Sequence, residues 1–401
     1  MSVAARSMRV TPLPASSAGG LETGGAMIEA GNTTHRLEYR STRGPLSESS
    51  DAFLAATLFP AMRLATDLEI RGDVSSLLLA STAEIQRIFS GWYPEFTPVR
   101  VVARDGAVDR RRVGAASLFS GGVDSFYTLL RHQDEITTLI FVHGFDISLA
   151  DTALRRRVSA SLRAAAAELG KTLVEVHTNL RSFSERHIDW GLRYHGAGLA
   201  SVALLLAPQF GRVYIPASFP RAYTKPHGSH PLLDPLWSTE GIEFVHDGVD
   251  ATRLEKVQAI TASDVAMRWL RVCWEHPQGE YNCGRCEKCV RTMVNLELAG
   301  ALARCRAFDR PLDLAAVARA PVYDGVAALF VEENLQRCLE VGGHEDLARA
   351  LRTSLDHTYY RGIGPLFRGD LRRRLLSRAR RLLSRSSPPV LDFAAYEFQR
   401  S

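Results

Sequence analysis

The sequence predicts an α/β fold: a doubly wound parallel sheet, with a small N-terminal α+β domain before it and a helical C-terminal extension after it. Three observations carry that expectation. Short apolar runs alternate with helix-length segments through the middle of the chain, the order expected of parallel strands with covering helices. A Ser/Gly turn at 120–125 follows one of these runs and precedes a helical pattern. Beyond Leu296 the chain reads as helical.

Residues 1–30 are rich in Ser, Gly, Ala and Pro without periodicity, so a disordered tail is expected there. A small domain is expected over 31–110, with strands at 35–39 and 63–70, a helix at 82–90 and a strand at 98–103. The central domain, 111–300, carries strands at 115–119, 138–142, 173–177 and 212–216. Helices at 123–132, 151–169 and 196–207 fall between them. In such a fold ligands sit at the carboxyl ends of the strands. The extension, 301–401, ends in a basic amphipathic pattern over 368–385, with leucines at 371, 375, 376, 382 and 383 set among arginines.

Composition narrows the class. Over 401 residues, 46% are hydrophobic and 23% charged, the balance of a soluble globular protein. No apolar run is long enough to span a bilayer, and the N-terminus lacks a secretory apolar stretch, so a cytoplasmic location and no membrane partner are expected. The net charge of +5 is mild. Lysine occurs only at Lys171, Lys225, Lys256 and Lys288, with arginine supplying every other cation. A lysine kept where arginine is the default is a candidate for work that arginine cannot do. Of six cysteines, four fall within 273–289, a cluster that suits metal binding better than disulfides.

The turn Ser120-Gly121-Gly122-Val123-Asp124-Ser125 has the chemistry of a phosphate loop. Paired glycines let the backbone approach an anion without a Cβ in the way. Loop amides and the following helix N-terminus favour negative charge. The Ser120 and Ser125 hydroxyls add hydrogen bonds, and Asp124 can hold the Mg²⁺ that accompanies ATP. No Gly-Lys-Ser/Thr follows, so this is not a Walker A loop. Farther on, Cys273, Cys283, Cys286 and Cys289 offer the four thiolates that tetrahedral Zn²⁺ prefers, and four thiolates leave no position open for water. An iron–sulfur cluster is the minor alternative. Cys305 and Cys338 lie outside the pattern and read as core cysteines.

The loop resembles the SGGxDS motif of the PP-loop (N-type) ATP pyrophosphatases, which cleave ATP between the α- and β-phosphates. Together with the C…CGxCxxC cluster and the Arg291 that follows it, the chain resembles the 7-cyano-7-deazaguanine synthase family over roughly 113–300. The resemblance implies a sheet of the adenine nucleotide alpha hydrolase-like (HUP) type. It implies ATP and Mg²⁺ as cofactors, a structural zinc near the active site, adenylation of a carboxylate or amide, and displacement of AMP by ammonia or another nitrogen nucleophile. Asp124 and Lys225 are the expected catalytic residues. The loop residues 120–125, Phe141 and His143 at the end of the second strand, and Arg193 before the long helix are the expected nucleotide contacts. Asp234 falls where the synthases carry an acidic residue in a substrate-reading loop. His143 and His195 also fit satisfied core histidines, and Lys225 a solvated loop residue.

The expected partners are a small-molecule carboxylate or nucleobase-like substrate, a nitrogen donor and a second copy of the chain. The chain departs from the synthases by its long segments before and after the shared region. It also reads His143-Gly144-Phe145 where they carry Tyr-Gly-Gln. Two alternatives stand beside this reading. One is a thiolation enzyme acting on a nucleobase or tRNA, which needs a reactive cysteine. The other is a non-catalytic nucleotide- or RNA-binding protein using the basic 368–385 segment.

Overall fold

The computed structural model describes residues 7–106, 113–276, 279–322 and 325–363. An antiparallel meander opens the chain: β1 (Ser7–Ala18), β2 (Leu21–Ala30) and β3 (Thr33–Ser41). Then come α1 (Asp51–Leu64), β4 (Asp67–Ser75), α2 (Ser76–Trp92) and β5 (Val101–Gly106). The central series is β6 (Ala115–Leu118), α3 (Val123–Arg131), β7 (Ile136–His143), α4 (Thr152–Glu168) and β8 (Thr172–Thr178). It continues through a short α5 (Leu180–Ser184), α6 (His195–Leu205), β9 (Arg212–Pro216) and β10 (Glu243–Asp247). Helices α7 (Arg253–Ile260), α8 (Asp264–Trp269), α9 (Glu287–Leu298), α10 (Leu314–Arg319), α11 (Gly325–Val341) and α12 (Glu345–Ile363) complete it.

Among the described residues, ten strands form one mostly parallel sheet, in the order β10-β9-β6-β7-β8-β3-β2-β1-β4-β5. The five central strands, β10 to β8, are parallel. Their sequences are apolar at successive positions because both faces are covered. Ala116, Leu118, Ile140, Val142, Val174 and Val176 join one core with α1, α2 and α6. Ala115, Leu139 and Phe141 point to the opposite core, beneath α3, α4, α7, α8 and α9. Helices on both faces follow from that alternation. Helix α6 is apolar nearly all round and is correspondingly buried, from Gly196 to Leu205 except for Leu199. It packs against α1, and three hydroxyls lock the pair to the sheet and to each other. Tyr39 Oη and Ser201 Oγ are 2.6 Å apart, Ser201 Oγ donates to the Ala52 carbonyl at 2.6 Å, and Tyr194 Oη donates to the Ala56 carbonyl at 2.5 Å.

The structure corrects the reading of the N-terminal segment. Residues 7–30 are not a disordered tail: they form β1 and β2, with Met8, Val10, Ala26 and Ile28 in the core. Their small residues hid an alternating pattern, since alanine and glycine bury as well as valine does against a close-packed sheet. The strand expected over 63–70 is helix as far as Leu64 and strand only from Asp67, with Ala65 in the left-handed conformation at the break. Strands before residue 110 lie in the same sheet as those after it, joined where β3 pairs antiparallel with β8. The basic segment 368–385 lies outside the described residues. Among the described residues no helix is long and apolar enough to cross a membrane.

The strand order positions the site. From β6 the chain moves to β7 and β8 on one side, then crosses to β9 and β10 on the other. Connections therefore leave β6 and β9 in opposite directions, which opens a crevice at their carboxyl ends.

Candidate functional site

The 120–125 turn sits in that crevice. β6 ends at Leu118, and the Phe119 amide donates to the Ile140 carbonyl of β7 at 2.8 Å, so the turn starts from a fixed point. Gly121 has φ +77°, a left-handed conformation that a side chain would strain, and a Cβ there would lie 2.9 Å from Leu162 Cδ2. Gly122 is extended and caps α3, while Ser120 Oγ accepts from the Gly122 amide at 3.3 Å and Ser125 Oγ donates to its carbonyl at 2.9 Å. The chain beyond α8 buttresses the turn from outside. Arg271 donates its amide to Gly121 O at 2.7 Å and its Nη1 to Ser120 O at 3.2 Å.

Cations converge on this turn. A capping box of Thr252 and Glu255 starts α7, and the helical spacing puts Arg253 and Lys256 on one face. Arg253 Nη2 lies 2.9 Å from Asp124 Oδ2, and Lys256 Nζ lies 3.3 Å from Oδ1 and 2.7 Å from the Ala217 carbonyl just beyond β9. Burial pushes the Asp124 carboxyl up, but the charges of Arg253 and Lys256 outweigh it and hold the group below its ordinary value. Burial pulls the Lys256 ammonium down, and Asp124 resists that. Arg271 is 3% exposed, with Nε and Nη2 buried and without hydrogen-bond partners; Arg253 Nε is in the same state. Among the described residues, Asp146 stands 3.8 Å from Arg271 Nη2. Buried guanidinium donors left unpaired cost energy unless a ligand satisfies them. Two more cations come from α9. Arg291 pairs with Glu287 at 3.1 Å, and Lys288 lies 6.0 Å from the centre of the half-exposed Trp274 ring.

The four cysteines meet next to this cluster. Cys273, Cys283, Cys286 and Cys289 are all buried, and their sulfurs lie within 4.8 Å of one another. Such a set could hold a metal ion such as zinc. The knuckle folds as the spacing suggests: Gly284 takes φ +66°, and the Cys286 amide points at Cys283 Sγ, 3.2 Å away. Asn282 was not singled out from the sequence, yet it fixes the cluster's frame. Its Oδ1 accepts from the amides of Val272 and Cys273 at 2.9 and 3.2 Å, and its Nδ2 donates to the carbonyls of Leu270 and Ala307 at 2.8 and 3.0 Å. Burial pushes the two remaining thiols, Cys305 and Cys338, above their ordinary value.

Other residues singled out from the sequence lie in varied surroundings. Phe141 is buried on β7 with the Arg271 guanidinium 5.9 Å from its ring centre, so it floors the cluster. His143 is 1% exposed, its Nε2 donating to Glu175 at 2.8 Å and its ring stacked on His177 at 4.3 Å. That places it in a hydrogen-bond network through Glu175 with Ser159 and the solvent-facing Arg163. Arg193 pairs with Glu95 at 2.7 Å and lies over Tyr93. His195 adjoins His227 with 4.6 Å between ring centres, and burial, then the charges of His227 and Lys288, hold it well below the ordinary histidine value. Lys225 lies 5.6 Å from the Phe219 ring, in the loop after β9. Asp234 is fully buried, accepting from Ser229 Oγ and His246 Nδ1 at 2.7 Å each.

Arg253, Lys256 and Arg271 are the functional candidates that motif reading missed. They come from segments far from the turn in sequence, and only the scarcity of lysine marked Lys256 beforehand. No protein-family model, curated protein or solved structure matches the chain.

Proposed function

We propose that this chain is an ATP-dependent carbon–nitrogen ligase of the PP-loop type, forming AMP and pyrophosphate and similar to the 7-cyano-7-deazaguanine synthases. One observation carries the reading. A glycine turn at a strand-to-helix junction faces buried guanidinium nitrogens of Arg271 and Arg253 that have no hydrogen-bond partner. That arrangement asks for a polyanion, and a nucleotide's phosphates supply one. The amides of 121–125 with Arg253, Lys256 and Arg271 hold the β- and γ-phosphates. Asp124 is the residue to hold Mg²⁺, whose charge would offset that of the leaving pyrophosphate.

A carboxylate or amide oxygen of the acceptor attacks the α-phosphorus, the bond from the α-phosphorus to the bridging oxygen breaks, and pyrophosphate leaves with the electron pair. A nitrogen nucleophile then adds to the activated carbon, AMP departs, and the nitrogen loses a proton. The protein contributes positioning and charge rather than a covalent intermediate. The cysteine cluster, with zinc bound, braces the segment that carries Arg271 and Arg291. Thiolation is disfavoured because the two spare thiols, Cys305 and Cys338, are buried and raised, the opposite of a reactive cysteine.

Product analysis tests this. Incubation with ATP, Mg²⁺, ammonia and a series of carboxylates, 7-carboxy-7-deazaguanine first, is expected to release AMP and pyrophosphate in equal amounts. ADP and orthophosphate would rule the reading out.

A further inference from the structure

The helical extension reaches the cation cluster through α11. Helix α11 places Phe330, 4% exposed, against both α7 and α9. The Arg291 guanidinium lies 4.4 Å from the Phe330 ring centre, and that of Arg253 lies 6.0 Å away. On another side Phe330 stacks with Phe219 of the loop after β9, at 6.2 Å and 11° between planes. Two polar contacts secure α11 to the helices that carry these arginines. Glu333 accepts from the Leu254 amide in the first turn of α7 at 3.4 Å, and the Asn334 side chain bonds to Asn295 of α9.

Two guanidiniums held this close repel each other; Arg253 pairs with Asp124 and Arg291 with Glu287, and Arg253 Nε is left without a hydrogen-bond partner. An aromatic face attracts both cations without neutralising either, so their charge stays available to an anion. A carboxylate in the same place would consume that charge, and an aliphatic side chain would not hold the arginines.

We infer that Phe330 is a positioning residue of the phosphate site, through which the C-terminal extension holds Arg253 and Arg291 in place for the β- and γ-phosphates. The inference rests on the nucleotide reading above. It also makes the extension a working part of the site: the ring that holds two of its cations comes from a segment with no motif of its own. Acting through the two arginines, the ring should affect the phosphates and not the adenosine, which gives the role a signature that loss of packing would not show.

Calorimetric titration of the full-length chain with Mg²⁺-pyrophosphate and with AMP, each on the wild type and on Phe330→Leu, reads that signature. Phe330→Leu keeps the apolar volume and removes the ring. It is expected to weaken pyrophosphate binding about tenfold, equivalent to ~1.4 kcal/mol, and to leave AMP affinity within about twofold; Phe330→Trp is expected to restore pyrophosphate binding. Equal weakening of both ligands, or no change in pyrophosphate affinity, overturns the role of Phe330 while leaving the nucleotide reading intact. A wild-type chain that binds neither ligand overturns both. If Phe330→Leu does not fold, Phe330→Met carries the same comparison with a more adaptable side chain.

Discussion

At the scale of single residues the turn is governed by sterics before charge. Gly121 must keep φ at +77°, and any Cβ there meets Leu162. Gly121→Ala therefore costs about 1–2 kcal/mol of backbone strain, and it tilts the amides that face the anion. A lowered melting temperature together with loss of pyrophosphate release from ATP is the expected pair of results. A variant with wild-type turnover would show that the turn does not hold the phosphates.

A second residue-scale consequence concerns acid. Burial, then the charges of His143 and Arg155, hold His177 down at about 4, against an ordinary 6.5. Burial pushes Glu175 up, but hydrogen bonds from His143, Ser159 and Arg163 outweigh it and bring the carboxyl to about 2, against 4.5. Both shifts are depressions, so in each window the unfolded chain binds more protons than the folded one. The stabilisation is complete above pH 6.5 for His177 and above 4.5 for Glu175, and it is lost as pH falls through 4 and then 2. For the half-buried His177 solvent screening leaves roughly 1–2 kcal/mol. Urea midpoints measured from pH 7 down to 4 are expected to fall, and to fall less steeply in His177→Gln.

At the scale of elements, the cysteine knuckle and the Arg271 segment form one unit tied by Asn282, whose four hydrogen bonds span Leu270 to Ala307. Asn282→Ala leaves buried amides and carbonyls unpaired. We expect a cost of about 2–3 kcal/mol and metal affinity lower by roughly 10–100-fold, as when outer-shell support is lost. Metal content by mass spectrometry after dialysis against a mild chelator measures the second effect. If the variant retains metal like the wild type, Asn282 supports the loop and not the site.

Legibility in the sequence also divides at the level of elements. β6, β7, β8 and β9 were readable because a strand covered on both faces carries a short run of apolar residues, and the glycine turn because its geometry admits so few residues. β10, with the sequence Glu-Phe-Val-His-Asp, was not readable: it is an edge strand with polar ends. β1 and β2 read as tail because small residues bury without looking hydrophobic. In the site, the four cysteines were legible as local spacing, whereas Arg253, Lys256, Arg271 and Phe330 converge only through tertiary packing. Nothing in their own neighbourhoods marks them.

At the scale of the molecule, two apolar cores lie on either side of a single sheet, and the first strands of the chain close over the third strand of the central series. Cutting between β5 and β6 should therefore not yield a stable N-terminal piece. Expressed alone, residues 1–110 lose the β8 partner of β3 and the α6 partner of α1, leaving an open strand edge and a bare apolar helix face. An aggregated or unfolded fragment by circular dichroism and size exclusion is the expected outcome; a soluble, cooperatively melting fragment would show that the meander folds unaided.

The β3–β8 pairing also sets a clock. Tyr39 and Thr178 sit opposite each other in the finished ladder but are 139 positions apart in the chain (178 − 39). At ribosomal rates of ~5–20 residues per second, the edge of β3 waits roughly 7 to 28 s for its neighbour to be synthesised. During that wait the nascent chain carries an unpaired strand that any other extended peptide could join. The charges along β3, Arg36, Glu38 and Arg40, alternate with its buried Leu37 and Tyr39 and make such a partner unwelcome.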